Sequence, residues 1–276
     1  MLVCSKGEFL EESELLLDVR TNRAFRYGDG FFETIRFEHN RIPLFKYHLQ
    51  RMEVSNNLFK FKPSTFSFSN IEKLIGQTFQ LNNIESGIAR VTFFRSGEGR
   101  YTPFKNEMNF LIEVTEHSFG SYFSMLKEVG ISTQIVLHSH SFSHIKTLNA
   151  LPYVFAGMEA KERQWNECLL PNTNNEIAEG TWSSLVWMEN DELFTPPLSS
   201  GCVSSTMKEA LKDFLQQNGK ILTEKVCTLS NLQHAQEVWL LNATSGIQAV
   251  SHFQDKIYSH VKALEVASEL EDFLSL

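Results

Sequence analysis

Long apolar runs are missing from this chain: nothing approaches the roughly 18 consecutive apolar residues of a membrane span. The N-terminus, Met1 to Glu8, has no h-region and no cleavage site, so no secretory signal is expected. Cysteine is scarce and scattered. Cys4, Cys168, Cys202 and Cys227 show no C-x-x-C spacing, which removes finger-type metal sites and points to reduced thiols in a cytoplasmic protein. Positive charge is short, with a formal net charge of -8, and a polyanion such as nucleic acid is a poor partner for that field. Ser96-Gly-Glu-Gly99 lacks both a following Lys-Ser/Thr and the G-x-G-x-x-G frame, so it is no nucleotide loop. A G-x-S-x-G hydrolase elbow is absent.

What is present is 276 residues with 42% hydrophobic and 21% charged side chains, enough for one large domain or two modest ones. The 23 Phe predict a core and interface built from flat rings. Tyr27-Gly-Asp-Gly30 is a turn signal before a strand over 31–37, in which Phe31, Glu33, Ile35 and Phe37 share one face. Helices are predicted over 43–58, 69–81, 152–165, 206–217 and 262–274, the fourth stopped by Gly219. Strands are predicted over 88–95, 109–115, 131–137, 167–170, 184–188 and 238–241. Residues 116–126 mix Ser, Gly and aromatics and read as a linker. The pattern is α+β, in two domains: a small N-terminal α/β domain over 1–116, a linker over 117–126 and a larger C-terminal domain over 127–276.

Four segments carry candidate chemistry. Lys146, in Ser143-His-Ile-Lys-Thr-Leu-Asn149, is read as lying between a strand and a helix and is flanked by apolar residues. Such surroundings favour a neutral amine, as a nucleophilic lysine requires; a solvated loop lysine is the alternative. Glu179, in Ile177-Ala-Glu-Gly180, is placed to hold a proton on a heteroaromatic nitrogen, or is a turn glutamate facing water. A Pro, Ser and Gly loop runs into the helix beginning at Thr206, where Thr206 and Glu209 fit a capping box. Free N–H groups there suit a phosphate, or simply a well-capped helix. Arg51 lies at the margin of a helix face and suits a phosphate, a carboxylate or an interior ion pair. His138, His140 and His144 are spaced like metal ligands, the first two on one strand face, but lack a completing Cys or carboxylate, so no metal is expected.

In this order the segments resemble the class IV family of pyridoxal-phosphate enzymes, which holds branched-chain and D-amino acid aminotransferases and 4-amino-4-deoxychorismate lyase. Tyr27-Gly-Asp-Gly-Phe-Phe-Glu-Thr-Ile-Arg36 is similar to its opening strand, His48-Leu-Gln-Arg51 to its H-x-x-R helix, Lys146-Thr-Leu-Asn149 to its K-x-x-N motif, and Ile177-Ala-Glu-Gly180 to its I-x-E-G segment. The resemblance implies a two-domain fold type IV enzyme, usually a homodimer, with pyridoxal 5'-phosphate in a cleft between the domains. It implies Lys146 as the catalytic Schiff-base lysine, Arg51 on the phosphate, Glu179 on the pyridine nitrogen, and Thr206, Met207 and Ala243 near the phosphate. Arg95, Arg36, Arg100 and Phe32 are the expected substrate binders, Arg95 foremost. Two departures stand out: Ser184 replaces the Asn of S-x-N, and Ser205-Thr-Met-Lys208 replaces G-I-T-R. The implied activity is amino-group transfer between an amino acid and a 2-oxo acid. Phe94 to Tyr101 and Asn242-Ala243 are also lyase-like, so release of pyruvate and 4-aminobenzoate from 4-amino-4-deoxychorismate is the alternative.

Overall fold

Alternation along residues 31–37 sets the first core as period-two spacing dictates: Phe31, Ile35 and Phe37 are buried on one face, with Glu33 among them. The computed structural model describes residues 1–62 and 66–275, so 63–65 and 276 of the expected domains lie outside the described residues. The chain divides into two compact units, Met1–Phe119 with Ile145–Asn149, and Gly120–His144 with Ala150–Leu276.

The first unit comprises β1 (Leu2–Ser5), β2 (Glu8–Glu11), α1 (Arg23–Tyr27), β3 (Gly30–Phe37), α2 (Phe45–Phe59), α3 (Asn70–Leu81), β4 (Gly87–Arg95) and β5 (Met108–Glu116). Its sheet, of strand order β2-β1-β5-β4-β3, is antiparallel throughout. Helices α2 and α3 bury their apolar stripes on this sheet, closing a core dominated by phenylalanine. Phe37 and Phe79 stack with centroids 4.3 Å apart, and Phe31 and Phe93 at 4.8 Å. Each such pair contributes about 1 kcal/mol beyond its area burial.

The second unit comprises β6 (Phe123–Ile131), α4 (Leu151–Arg163), β7 (Glu167–Pro171), β8 (Ile177–Gly180), β9 (Ser184–Glu189), β10 (Glu192–Thr195), α5 (Thr206–Gln217), β11 (Leu222–Glu224), α6 (Leu229–His234), β12 (Glu237–Asn242), β13 (Gly246–Phe253), β14 (Lys256–Ile257) and α7 (Val261–Ser275). Among the described residues its strands make one mixed sheet of order β11-β10-β9-β12-β13-β6-β7-β8, with β14 on β13. Trp187 and Trp239 are fully buried, and each indole N–H donates 2.9 Å to a carboxylate two residues away, Glu189 and Glu237. No helix of the described residues is long and apolar enough to cross a membrane.

Two sequence expectations fail here. Residues 123–126 of the expected linker are the first turn-free stretch of β6, paired in parallel with β13. The strand expected over 131–137 ends at Ile131, because the Ser132 hydroxyl accepts from the backbone N–H of Gln134 and Ile135 and turns the chain.

Candidate active site

Lys146 stands in an irregular segment rather than directly after a strand. Its position is nevertheless fixed by backbone bonding along the free edge of β3. Phe32 N–H donates to the Lys146 carbonyl at 3.0 Å, and Leu148 N–H to the Gly30 carbonyl at 3.0 Å. Asn149 closes the segment on the turn after α1, its Nδ2 donating to the Gly28 carbonyl at 3.2 Å. Gly28 has a φ of +61°, and a Cβ there would lie 2.5 Å from the Asn149 amide oxygen, so any side chain would strain the turn and displace Asn149. The Lys146 amine lies 4.7 Å from the centre of the Phe32 ring.

Helix α2 brings His48 and Arg51 onto one face, one turn apart, above Glu33 of β3. Arg51 grips the Glu33 carboxylate with two donors, Nε at 2.8 Å to Oε1 and an arm nitrogen at 2.5 Å to Oε2. His48 Nδ1 meets Oε2 at 2.6 Å. Burial alone would raise the Glu33 carboxyl, but the Arg51 charge and hydrogen bonds, with those of His48, hold it down to about 2. Burial keeps His48 below the usual imidazole range, against the pull of Glu33. A neutral ring donating from Nδ1 to an ionised carboxylate leaves Nε2 as an acceptor, and that atom is buried without a partner. Arg51 is thus an interior ion-pair residue, whatever else it binds.

In the second unit Glu179 is 4% exposed on β8, where one oxygen accepts from the Tyr153 hydroxyl at 2.7 Å and the other from the Val203 N–H at 3.0 Å. Behind it Glu167 is wholly buried and accepts from Trp182 N–H at 3.0 Å and the Ser183 hydroxyl at 2.9 Å. A Cβ at Gly180 would fall 2.3 Å from Glu167 Oε1, which explains the glycine after Glu179. Burial, with the Glu179 charge added, pushes Glu167 up to about 7 although three hydrogen bonds from Trp182 and Ser183 oppose it.

Helix α5 starts as expected at Thr206, but its cap is Ser205, whose hydroxyl accepts from Lys208 N–H at 3.3 Å. The cap therefore lies one residue earlier than the capping box predicts. Thr206 and Met207 are 4% and 0% exposed, and their N–H groups meet no acceptor among the described residues. Met207 departs from the family pattern because its side chain fills the core. Ser184, the other departure, turns its hydroxyl to the Leu241 carbonyl of β12 at 3.4 Å. Ala243 lies in the β12–β13 turn, which the Asn242 side chain orders by accepting from Thr244 and Ser245 N–H.

The arginines divide. Arg95 is buried, with Nε on Asp29 at 3.0 Å, one arm on Asn106 Oδ1 at 2.7 Å and the other on the Phe59 carbonyl at 2.8 Å. Asp29 also takes Arg23 at 2.7 Å, so the Gly-Asp-Gly turn is an ion-pair hub to which the Arg95 side chain is tied. Arg36 is buried against Glu38 at 2.7 Å and over the Phe119 ring. The side chain of Arg100 is exposed, beside Tyr101. Phe32 packs between the Lys146 amine and the Arg90 guanidinium, whose carbon lies 3.9 Å from the ring centre. His138 and His140 lie outside any strand, and no group of three or more His, Cys, Asp or Glu among the described residues is placed to hold a metal ion.

Residues 30–253 match Amino-transferase class IV. The chain belongs to that family. It is 26% identical over 238 residues to an aminodeoxychorismate lyase of Vibrio harveyi, covering 83% of this chain and 85% of that protein. It is 23% identical to the branched-chain-amino-acid aminotransferase of Escherichia coli K12 over 255 residues, 88% of this chain and 82% of that one. The crystal structure of a branched-chain aminotransferase from Thermoproteus uzoniensis superposes with a TM-score of 0.88 at 19% identity, covering 99% and 94% of the two chains. This class IV chain is therefore an enzyme of the pyridoxal-phosphate-dependent aminotransferase or lyase type, on an α+β fold of the type IV architecture.

The side chains present fit that cofactor. Taken by itself, the second unit offers an N–H pair at the start of α5 of the kind that suits a phosphate and, in Glu179, a carboxylate of the kind that suits a ring nitrogen; the first unit, by itself, offers the Lys146 amine. Sequence reasoning placed Glu33 and His48 in motifs without pairing them with Arg51, and it did not single out Tyr153 or Glu167. Glu33 left a signal, a lone charge on an otherwise apolar strand face. Tyr153 left none.

Proposed function

We propose that this class IV enzyme transfers an amino group between an amino acid and a 2-oxo acid, using pyridoxal 5'-phosphate and Lys146. The observation that carries this reading is Lys146, an amine fixed by backbone bonds along β3 and set beside an aromatic ring. The cofactor supplies an aldehyde for the lysine and a protonated ring that accepts electron density from the substrate carbon. Lys146 then removes the proton from that carbon and returns it at the other carbon of the transfer. Glu179 keeps the ring nitrogen protonated. In the second unit the N–H groups of Thr206 and Met207 would take the phosphate, with Ala243 near it; in the first unit Arg51, held by Glu33, would be the phosphate-directed cation. Phe32 walls the substrate, and Arg100 is the arginine left to meet its carboxylate.

A homodimer is part of this reading. Leu151, Val154, Phe155 and Met158 form one stripe along α4 and are 44–63% exposed, a row that a second copy would cover. The four buried, unbridged cysteines fit a reducing, cytoplasmic setting. A second reading, lyase action on 4-amino-4-deoxychorismate, is favoured by the Vibrio harveyi relative and by Asn242-Ala243. Borohydride reduction and peptide mapping should find the cofactor on Lys146, and a colourless protein that takes up none would end both readings. Supplying 4-amino-4-deoxychorismate alone and watching for pyruvate together with 4-aminobenzoate separates them, because amino-group transfer forms no 4-aminobenzoate from that compound.

A further inference from the structure

We propose that Tyr153 is a positioning residue for Glu179: its phenol O–H and the Val203 N–H each take one carboxylate oxygen, holding the group charged and turned one way. The two contacts, at 2.7 and 3.0 Å, come from different elements, α4 and the loop before α5. Around them lies an apolar cluster of Leu137, Ala156, Ala160, Cys168, Leu170, Ala178 and Cys202, against which the Tyr153 ring itself packs. A carboxylate in such surroundings keeps its charge only if donors face it. Burial and then the negative charge of Glu179 push the Tyr153 phenol well above its ordinary range, so it stays a donor at every working pH.

The consequence rests on the reading that Glu179 meets the ring nitrogen. Donors that stabilise the carboxylate lower its appetite for a proton and leave that proton on the nitrogen. Tyr153 thereby acts on turnover rather than on substrate binding. It does so through Glu179, without touching substrate.

The test is Tyr153→Phe, read first in the protein free of cofactor. With 13C-labelled glutamate, and the Glu179 resonance assigned by its loss in Glu179→Gln, the carboxyl midpoint should rise by about one pH unit, a tenfold change in proton affinity. An unchanged midpoint overturns the proposal. In the loaded enzyme kcat should fall about tenfold with KM unmoved, as expected for loss of an effect felt only in turnover; a rise in KM alone would contradict it. If Tyr153→Phe does not fold, 3-fluorotyrosine at position 153, a stronger donor, should lower the midpoint, and no shift would again overturn the proposal. A shifted midpoint in a protein that takes up no pyridoxal phosphate would uphold Tyr153 and sink the cofactor reading, so the two fail separately.

Discussion

Glu33 in the first unit and Glu167 in the second are equally hidden from water, at 1% and 0% exposure, yet they meet different fates. Glu33 faces Arg51 and His48 and is held down to about 2. Glu167 faces neutral donors, with a second carboxylate nearby, and is pushed up to about 7. Burial sets the size of the stake, and the sign of the neighbours decides the outcome. The same contrast divides the functional groups: Lys146 shares its unit with the cation-bearing triad, whereas Glu179 is held by N–H and O–H donors.

Substitutions can break this comparison. The largest effect is expected at Lys146→Ala, which should abolish turnover, a loss of at least about 1,000-fold, together with cofactor absorbance; a variant that still turns over refutes the assignment. Glu33→Gln removes the carboxylate that pairs with the Arg51 cation and should cost about 3–5 kcal/mol in urea unfolding. Its cost should shrink in acid. Glu33, depressed from 4.5 to about 2, contributes stability above pH 4.5 that is lost as pH falls toward 2. Glu167 has the opposite sign: its folded form binds protons more tightly, so stability is highest below pH 4.5 and falls by about 3 kcal/mol as pH rises through 7. Glu167→Gln should therefore flatten the Tm profile between pH 5 and 8, and an unchanged slope would show that Glu167 is ionised throughout. The smallest change is expected at Arg95→Lys, which should lower stability by about 1–3 kcal/mol with KM unchanged. A KM rise without destabilisation would restore Arg95 as a substrate binder.

Much of this was legible in the chain. Strands with strong alternation and helices with clear stripes fall within a residue or two of their predicted ends, as at 70–81 and 206–217. The start of α5 was legible because a capped helix N-terminus makes a local backbone demand. What stayed hidden was long-range pairing. Asp29 and Arg95 are 66 positions apart and Glu33 and Arg51 are 18, so nothing in the sequence says that Arg95 is neutralised inside while Arg100 is not. Strand β6 was missed because adjacent Lys127 and Glu128 break its apolar pattern in mid-strand, and its partner β13 is parallel and distant, so no hairpin signal links the two.

The five residues Ile145–Asn149 belong to the first unit although the chain on both sides belongs to the second. A ribosome therefore releases the first 119 residues with one flank of their sheet still bare, and the missing strip follows only after a further 25 residues of the second unit. An exposed flank of this kind pairs readily with other nascent chains. The peptide that carries Lys146 is the one that covers this flank, so the flank stays open until that peptide has been made.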